Sequence, residues 1–144
     1  MPQPACSSLP IPAVIAVVVR KEEVLLVRRA NPPDAGLWGF PGGKIEFGET
    51  VAAAALRELA EETSVVAEVG DVMTCLDVFE AGPKGTIHRH FILIAVLCRW
   101  SAGEPIAGDD ALEAAWFGLD AIGRVASSMS ADVETIARHA LTQN

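Results

Sequence analysis

The chain is short of positive charge. Its 11 Lys and Arg stand against 19 Asp and Glu in 144 residues, a formal net charge of −8 and a pI near 4.8. That balance argues against non-specific binding of nucleic acid or of an anionic membrane, because both rely on a basic surface. A small-molecule partner fits better. If that partner is anionic it needs local cations, so the few Arg and Lys beside a motif weigh more than their number. Cysteine is scarce and odd in number: Cys6, Cys75 and Cys98 form no C-x-x-C pair, which argues against a disulfide framework. Cys75 and Cys98 fall inside apolar runs, where a buried, unreactive thiol is the default. Long apolar runs are missing too; the longest, residues 91–98, is far too short to span a bilayer. Residues 1–12 lack the basic start and apolar core of a secretory signal. A soluble cytoplasmic protein is the expectation.

What is present is apolar residues, 51% of the chain, enough for one compact domain with a sizeable core. We place that domain at residues 11–142, behind a tail over residues 1–10. Residues 13–19 and 24–27 are β-branched runs separated by Arg20-Lys21-Glu22-Glu23, which reads as a hairpin of buried strands. Asn31-Pro32-Pro33-Asp34 makes residues 30–36 a loop, followed by Leu37-Trp38-Gly39-Phe40 and the turn Pro41-Gly42-Gly43. Residues 65–69 and 72–79 read as two extended segments, and 81–85 as a turn. Residues 86–100 return as a long strand, 101–110 form a polar loop, 114–117 a short strand, and 131–141 a helix carrying Val133, Ile136, Ala137 and Ala140. Such an order predicts an α/β fold, a mixed sheet between helices.

Arg57, Glu58, Glu61 and Glu62 crowd the end of an alanine-rich helical pattern. Thr50 caps this helix, Glu49 stands immediately before it, and it runs to about residue 63. At 3.6 residues per turn Glu58, Glu61 and Glu62 point the same way. Like charges at that spacing destabilise a helix by roughly 0.2–0.5 kcal/mol per pair, and an adjacent Arg offsets only part of this. A hard divalent cation with oxygen ligands compensates directly. A solvated acidic face, the ordinary account of a charge run, explains neither the Gly42-Gly43 turn nor Glu49. Ala52, Ala55, Leu56, Leu59 and Thr63 fall on a stripe about 120° from the carboxylates, so one face is expected to pack while the other carries chemistry.

Written G-x5-E-x7-R-E-U-x-E-E-x-G-U with U aliphatic, the pattern is met by Gly43, Glu49, Arg57, Glu58, Leu59, Glu61, Glu62 and Val65. Ser64 stands at the last Gly, the residue that usually gives a helix its left-handed stop. This resembles the Nudix box, the signature of enzymes that hydrolyse nucleoside diphosphates linked to another moiety. The resemblance implies a Nudix-type α/β/α sandwich with a mixed sheet between helices. It implies Mg2+, with Mn2+ as an alternative, held by the backbone carbonyl of Gly42 together with Glu58, Glu61 and Glu62. It also implies that Glu58 orients or deprotonates the attacking water. In several branches the base sits in a loop outside the box, and here Asp109, Asp110 and Glu113 are candidates. The catalytic set expected is Glu58, Glu61, Arg57 and Asp110, with Arg57 pairing with and orienting a box carboxylate.

For substrate contacts, strand alternation sends only one of Arg28 and Arg29 toward a given face, and the resemblance selects Arg29. Arg89 is a second candidate. Trp38 and Phe40 are the expected stacking residues, with Phe79 and Phe91 behind them. His88 and His90 share a strand face without a nearby third metal ligand. The runs over residues 28–46 and 103–111 look like the small ADP-ribose pyrophosphatase branch, which forms AMP and ribose 5-phosphate. The runner-up is the branch that removes pyrophosphate from 8-oxo-dGTP and reads the base partly through an Asn, where this chain has Ser127-Ser128-Met129-Ser130. A catalytically inactive nucleotide-sensing module is the reading of a different class, against which the intact carboxylates stand. Many relatives are dimers, and the apolar residues 9–12 suit a homodimer interface.

Overall fold

The β-branched runs near the start of the chain become β1 (Ile11–Arg20) and β2 (Glu23–Arg29). They form an antiparallel hairpin that pairs Val19 with Val24 and Arg20 with Glu23. The computed structural model describes residues 9–32 and 34–142, so Cys6, Pro33 and most of the tail over residues 1–10 lie outside the described residues. Along β1 the side chains alternate between two cores. Val14, Ala16 and Val18 join one apolar cluster and Val17 and Val19 the other, as a strand buried on both faces requires.

After β3 (Trp38–Gly39) and β4 (Gly42–Lys44) comes α1 (Val51–Thr63). The long strands β5 (Val66–Ala81) and β6 (Ile87–Ala102) follow, then β7 (Ala111–Gly118), α2 (Leu119–Arg124) and α3 (Val133–Thr142). The sheet runs β3-β2-β1-β6-β5, with β4 on β1 and β7 on β2. β1 and β6 are parallel while the other pairs are antiparallel. Helix α1 covers one face with Ala54, Ala55 and Leu59. The other face is covered by Ile122 of α2 and by Val133, Ile136, Ala137 and Ala140 of α3. The result is the expected α/β class with a mixed sheet between helices. Among the described residues no helix is long and apolar enough to cross a membrane.

Five readings change, the first being that Gly42 and Gly43, expected in a turn, lie in strand β4 paired with β1. The segments over residues 65–69 and 72–79 are one strand, β5: the pairing with β6 slips between Val69 and Val72 and again by Thr74, so Gly70-Asp71 is a bulge within a continuous ladder. Helix α2, six residues long, is too short to show a periodicity. Cys75 is exposed because β5 lies at the sheet edge, whereas Cys98 is buried and its thiol is pushed up to about 11 by that burial. The packed stripe of α1 is also rotated. Ala54, Ala55, Leu59 and Thr63 are buried, Ala52 is exposed and Leu56 is 38% exposed. At 100° per residue Glu58 and Glu62 therefore fall inside the packed arc, between Ala54 and Leu59. The chemistry is set into the edge of the core rather than opposite it.

Thr50 caps α1 by accepting a hydrogen bond from the Ala53 N–H at 3.0 Å. At the other end Ser64 adopts the left-handed conformation, φ 63 and ψ 9, and its N–H donates to the Ala60 carbonyl. The stop is thus made without glycine. A non-glycine residue in this region carries a penalty of about 1–2 kcal/mol, and glycine adds back about 0.4–1 kcal/mol of chain entropy. Ser64→Gly is expected to raise stability by roughly 0.5–1 kcal/mol, read as a higher urea midpoint at unchanged m-value; an unchanged midpoint would contradict this account of the cap.

Candidate active site

The site begins where β1 is shared. Near Arg20 its edge pairs with β2, but near Ile11 it pairs with β4, matching Val14 to Gly43 and Ile15 to Gly42. Ala16 N–H donates to the Pro41 carbonyl at 2.8 Å and holds the fork open. A Cβ on Gly42 would collide with the Val14 carbonyl and lie 2.9 Å from the Ile15 Cα, while a Cβ on Gly43 would lie 2.7 Å from the Glu58 carboxylate. The two glycines let a strand and a helix bearing carboxylates approach without side chains between them.

Arg57 organises the acidic cluster. Its Nε and Nη2 donate to the two oxygens of Glu49 at 2.6 and 2.9 Å, and Nη2 also reaches the Lys44 carbonyl at 3.0 Å. Its Nη1 donates to Glu58 Oε1 at 2.8 Å and to Glu61 at 3.4 Å. The bidentate contact with Arg57, helped by the Glu46 N–H, holds the Glu49 carboxyl down at about 2, and Glu49 in turn drives the guanidinium further above its ordinary range. Arg57 is therefore largely committed to Glu49, and Glu58 takes what remains.

Glu62 has no such partner. Its Oε2 accepts from the Gly42 N–H at 3.1 Å. Burial first, then hydrogen bonding to Glu58 and the charge of Glu58, push its carboxyl up to about 8 against the opposing pull of Gly42 and Arg29. One helical turn from Glu58, and with too little positive charge beside it, the Glu62 carboxyl holds its proton at neutral pH. Among the described residues no three His, Cys, Asp or Glu side chains already stand in metal-ligating positions. Glu58 and Glu62 are the close pair, and Glu61, its side chain 44% exposed, turns toward Arg57. The donor set is nevertheless that of a hard divalent cation: carboxylate oxygens in a half-buried place where extra positive charge is wanted.

A cavity of about 340 Å3 opens beside this pair. It brings together Arg29, Asn31, Glu58, Glu61, Glu62, Asp109 and Asp110 over the Gly42-Gly43 backbone. The aspartates arrive because the loop after β6 caps α1: Ile106 N–H and Gly108 N–H each donate at 2.9 Å, to the Thr63 and Glu62 carbonyls. Glu113 lies elsewhere, paired with Arg28 at 3.4 Å. Strand alternation sends Arg28 and Arg29 to opposite faces, and Arg29 is the one that lines the cavity.

A second cavity of about 400 Å3 shares Arg29, Pro32, Gly42 and Gly43 with the first. Its walls are apolar, among them Phe40, Leu76, Val78, Phe91 and Leu93, and Arg89 and Glu80 also line it. Arg89 is held by Glu80 through two hydrogen bonds of 2.9 and 2.6 Å and sits over Phe91 at 5.3 Å. This pairing keeps the Glu80 carboxyl below the usual range. Phe40 is 3% exposed and forms wall rather than a free stacking surface. Trp38 is the correction among the substrate residues: it lines neither cavity, packing edge-on against Phe117 at 4.8 Å because β3 turns it toward α3 and the core. His88 and His90 pair with Glu80 at 3.7 Å and Asp77 at 2.9 Å. Sequence reasoning missed Leu76, Val78 and Glu80, although their alternation along β5 marks one face.

The sequence matches the NUDIX domain family over residues 9–139. It is 35% identical over 117 residues to a Methanocaldococcus jannaschii protein named ADP-ribose pyrophosphatase, a match covering 81% of this chain and 67% of that one. It is 48% identical over 60 residues, 41% of each chain, to a Mycobacterium tuberculosis protein named putative 8-oxo-dGTP diphosphatase 2. Among solved structures, a bifunctional NMN adenylyltransferase/ADP ribose pyrophosphatase from Francisella tularensis, in complex with AMP and a Mn ion, superposes with a TM-score of 0.72 at 27% identity. That likeness covers 94% of this chain and 42% of the Francisella chain, so this chain spans about two-fifths of it.

Proposed function

This chain belongs to the NUDIX family, and from that premise we propose that it is a divalent-metal-dependent pyrophosphohydrolase whose foremost substrate is ADP-ribose, cleaved to AMP and ribose 5-phosphate. The observation that carries the chemistry is the convergence of Glu58, Glu61 and Glu62 with Arg29 on one cavity floored by Gly42 and Gly43. Support for ADP-ribose comes from the archaeal relative, which is similar over most of this chain. The paired cavities suit a pyrophosphate bridge carrying a group on each side. The local similarity to the 8-oxo-dGTP diphosphatase, which is higher in identity but covers less of the chain, favours pyrophosphate release from a nucleoside triphosphate as the second reading.

A pyrophosphate resists water because its oxygens repel the nucleophile and the leaving phosphate carries charge. Glu58, Glu61, Glu62 and the Gly42 carbonyl would hold Mg2+ or Mn2+, which neutralises non-bridging oxygens and acidifies bound water. The rest falls to the protein. Arg29, between the two cavities, binds the phosphates and draws charge toward the leaving oxygen. Glu58, its Oε1 held by Arg57, and Asp110 across the cavity are the two acceptors for the proton of the attacking water. The apolar second cavity takes the nucleobase, with Arg89 and Glu80 lining it as well.

The test is product analysis with Mg2+, offering ADP-ribose, 8-oxo-dGTP, an unmodified nucleoside triphosphate, a dinucleoside polyphosphate and a nucleotide sugar in parallel. AMP is expected fastest from ADP-ribose and absent in Glu58→Gln. Pyrophosphate released fastest from 8-oxo-dGTP would replace the lead reading with the second, and no turnover of any of them would leave a nucleotide-sensing module.

A further inference from the structure

We infer that Gly108 is a positioning residue for hydrolysis: its backbone, docked on the last turn of α1, sets where Asp109 and Asp110 stand relative to Glu58, Glu61 and Glu62. This rests on the proposal above that Asp110 of this loop takes part in the reaction. The last carbonyls of a helix have no partner within it. In α1 the Glu62 carbonyl accepts from Gly108 and the Thr63 carbonyl from Ile106, both at 2.9 Å. The approach is close enough that a Cβ at position 108 would lie 2.7 Å from the Glu61 carbonyl oxygen. That oxygen is backbone within a helix and cannot swing aside.

From this contact the chain turns sharply. Ala111 N–H donates to the Gly108 carbonyl at 3.0 Å and Asp109 takes φ 47, a region that disfavours side chains. The far end is tied as well: Ala30 N–H donates to the Asp110 carbonyl at 2.9 Å, just past Arg29. The near end is tied by Arg20, which pairs with Glu104 at 2.8 Å, and by Trp100, whose Nε1 donates to the Gly103 carbonyl at 2.7 Å. Asp109 and Asp110 thus hang between the helix that carries the carboxylates and the strand that carries Arg29. One methyl group at position 108 pushes the loop away from the first while leaving the second in place.

A purely structural cap and a positioning device differ in a mutant cycle. Gly108→Ala is compared with wild type and with Asp109→Asn/Asp110→Asn, on whichever phosphoanhydride the wild type hydrolyses, so a wrong substrate assignment does not blur the result. The expected outcome is a kcat about 10–100-fold lower with KM changed by less than about threefold, a displacement effect of the size misplaced groups produce. The same substitution in the Asp109→Asn/Asp110→Asn background is expected to cost nothing further. Mn2+ affinity, read by electron paramagnetic resonance, is expected to be unchanged in Gly108→Ala, because the residues proposed to hold the metal, Glu58, Glu61, Glu62 and Gly42, keep their places. A chain with one glycine inserted between Gly108 and Asp109, which keeps the helix contact and shifts the aspartates, is expected to lose kcat alike and serves if Gly108→Ala does not fold. An equal loss in both backgrounds, or full kcat in the insertion variant, would overturn the inference.

Discussion

Glu62→Gln is expected to lower kcat/KM on the order of 10²-fold or more and to erase the pH dependence of metal binding. The size follows from the proposal that Glu62 ligates the metal directly, since even outer-shell partners of metal sites are worth about 10–100-fold. The pH dependence follows from the proton. In the metal-free protein burial and Glu58 hold the Glu62 carboxyl up at about 8, well above its ordinary 4.5. The folded state therefore binds a proton between those values that the unfolded chain has released. The resulting stability is fully present below pH 4.5 and lost as pH rises through 8, with a slope of at most about 1.4 kcal/mol per pH unit. A divalent cation must displace that proton, so its apparent affinity is expected to climb up to about tenfold per pH unit toward pH 8 and then level off. Calorimetric titration of Mn2+ at pH 6, 7 and 8 in buffers of different ionisation enthalpy reads both the affinity and the proton released. Flat affinity across that range in the wild type would contradict a proton held on Glu62.

Gly42 and Gly43 are adjacent, and alanine at each is expected to fail for a different reason. At Gly43 the new Cβ meets the tip of Glu58, a carboxylate that can move. The fold should survive, but Glu58 leaves Arg57 and its place beside Glu62. The expectation is a kcat loss on the order of 10²-fold at a melting temperature within a few degrees of wild type. At Gly42 the new Cβ meets the Val14 carbonyl and the Ile15 Cα, both backbone in the centre of the sheet. There β4 must separate from β1, and a destabilisation of about 3 kcal/mol or more is expected. Thermal unfolding and kcat measured together distinguish the two. Equal stability losses at both glycines would mean that the Glu58 carboxylate is no freer to move than the strand.

The composition excluded more than it identified, and the motif identified more than it located. Most of the run from Gly43 to Val65 was legible because it is local: a Thr50 cap and carboxylates at helical spacing depend on neighbours within a turn or two, whereas Gly42 and Gly43, read as a turn, are drawn into β4 by pairing with β1. Even Ser64 in place of glycine kept the left-handed stop, since backbone hydrogen bonding at the helix end demands it. Where the helix faces was not local. Glu58 and Glu62 lie in the packed arc because β4, which α1 meets, offers glycines where other strands offer side chains, and no periodicity within α1 records that.

The amino-acid sequence by itself determined β1, β2, β6, the core of β7 and the two longer helices, the family resemblance, and which carboxylates and arginine form the acidic cluster, because propensity, capping and spacing act over a few residues. Only the tertiary structure decided that Arg29 and Asp110 join that cluster while Trp38 turns into the core and Arg89 is held by Glu80. Those outcomes rest on contacts such as Gly108 with Glu62 and Ala30 with Asp110, between segments far apart along the chain. Such contacts form only once the sheet and the end of α1 have brought their backbone donors and acceptors within reach of each other.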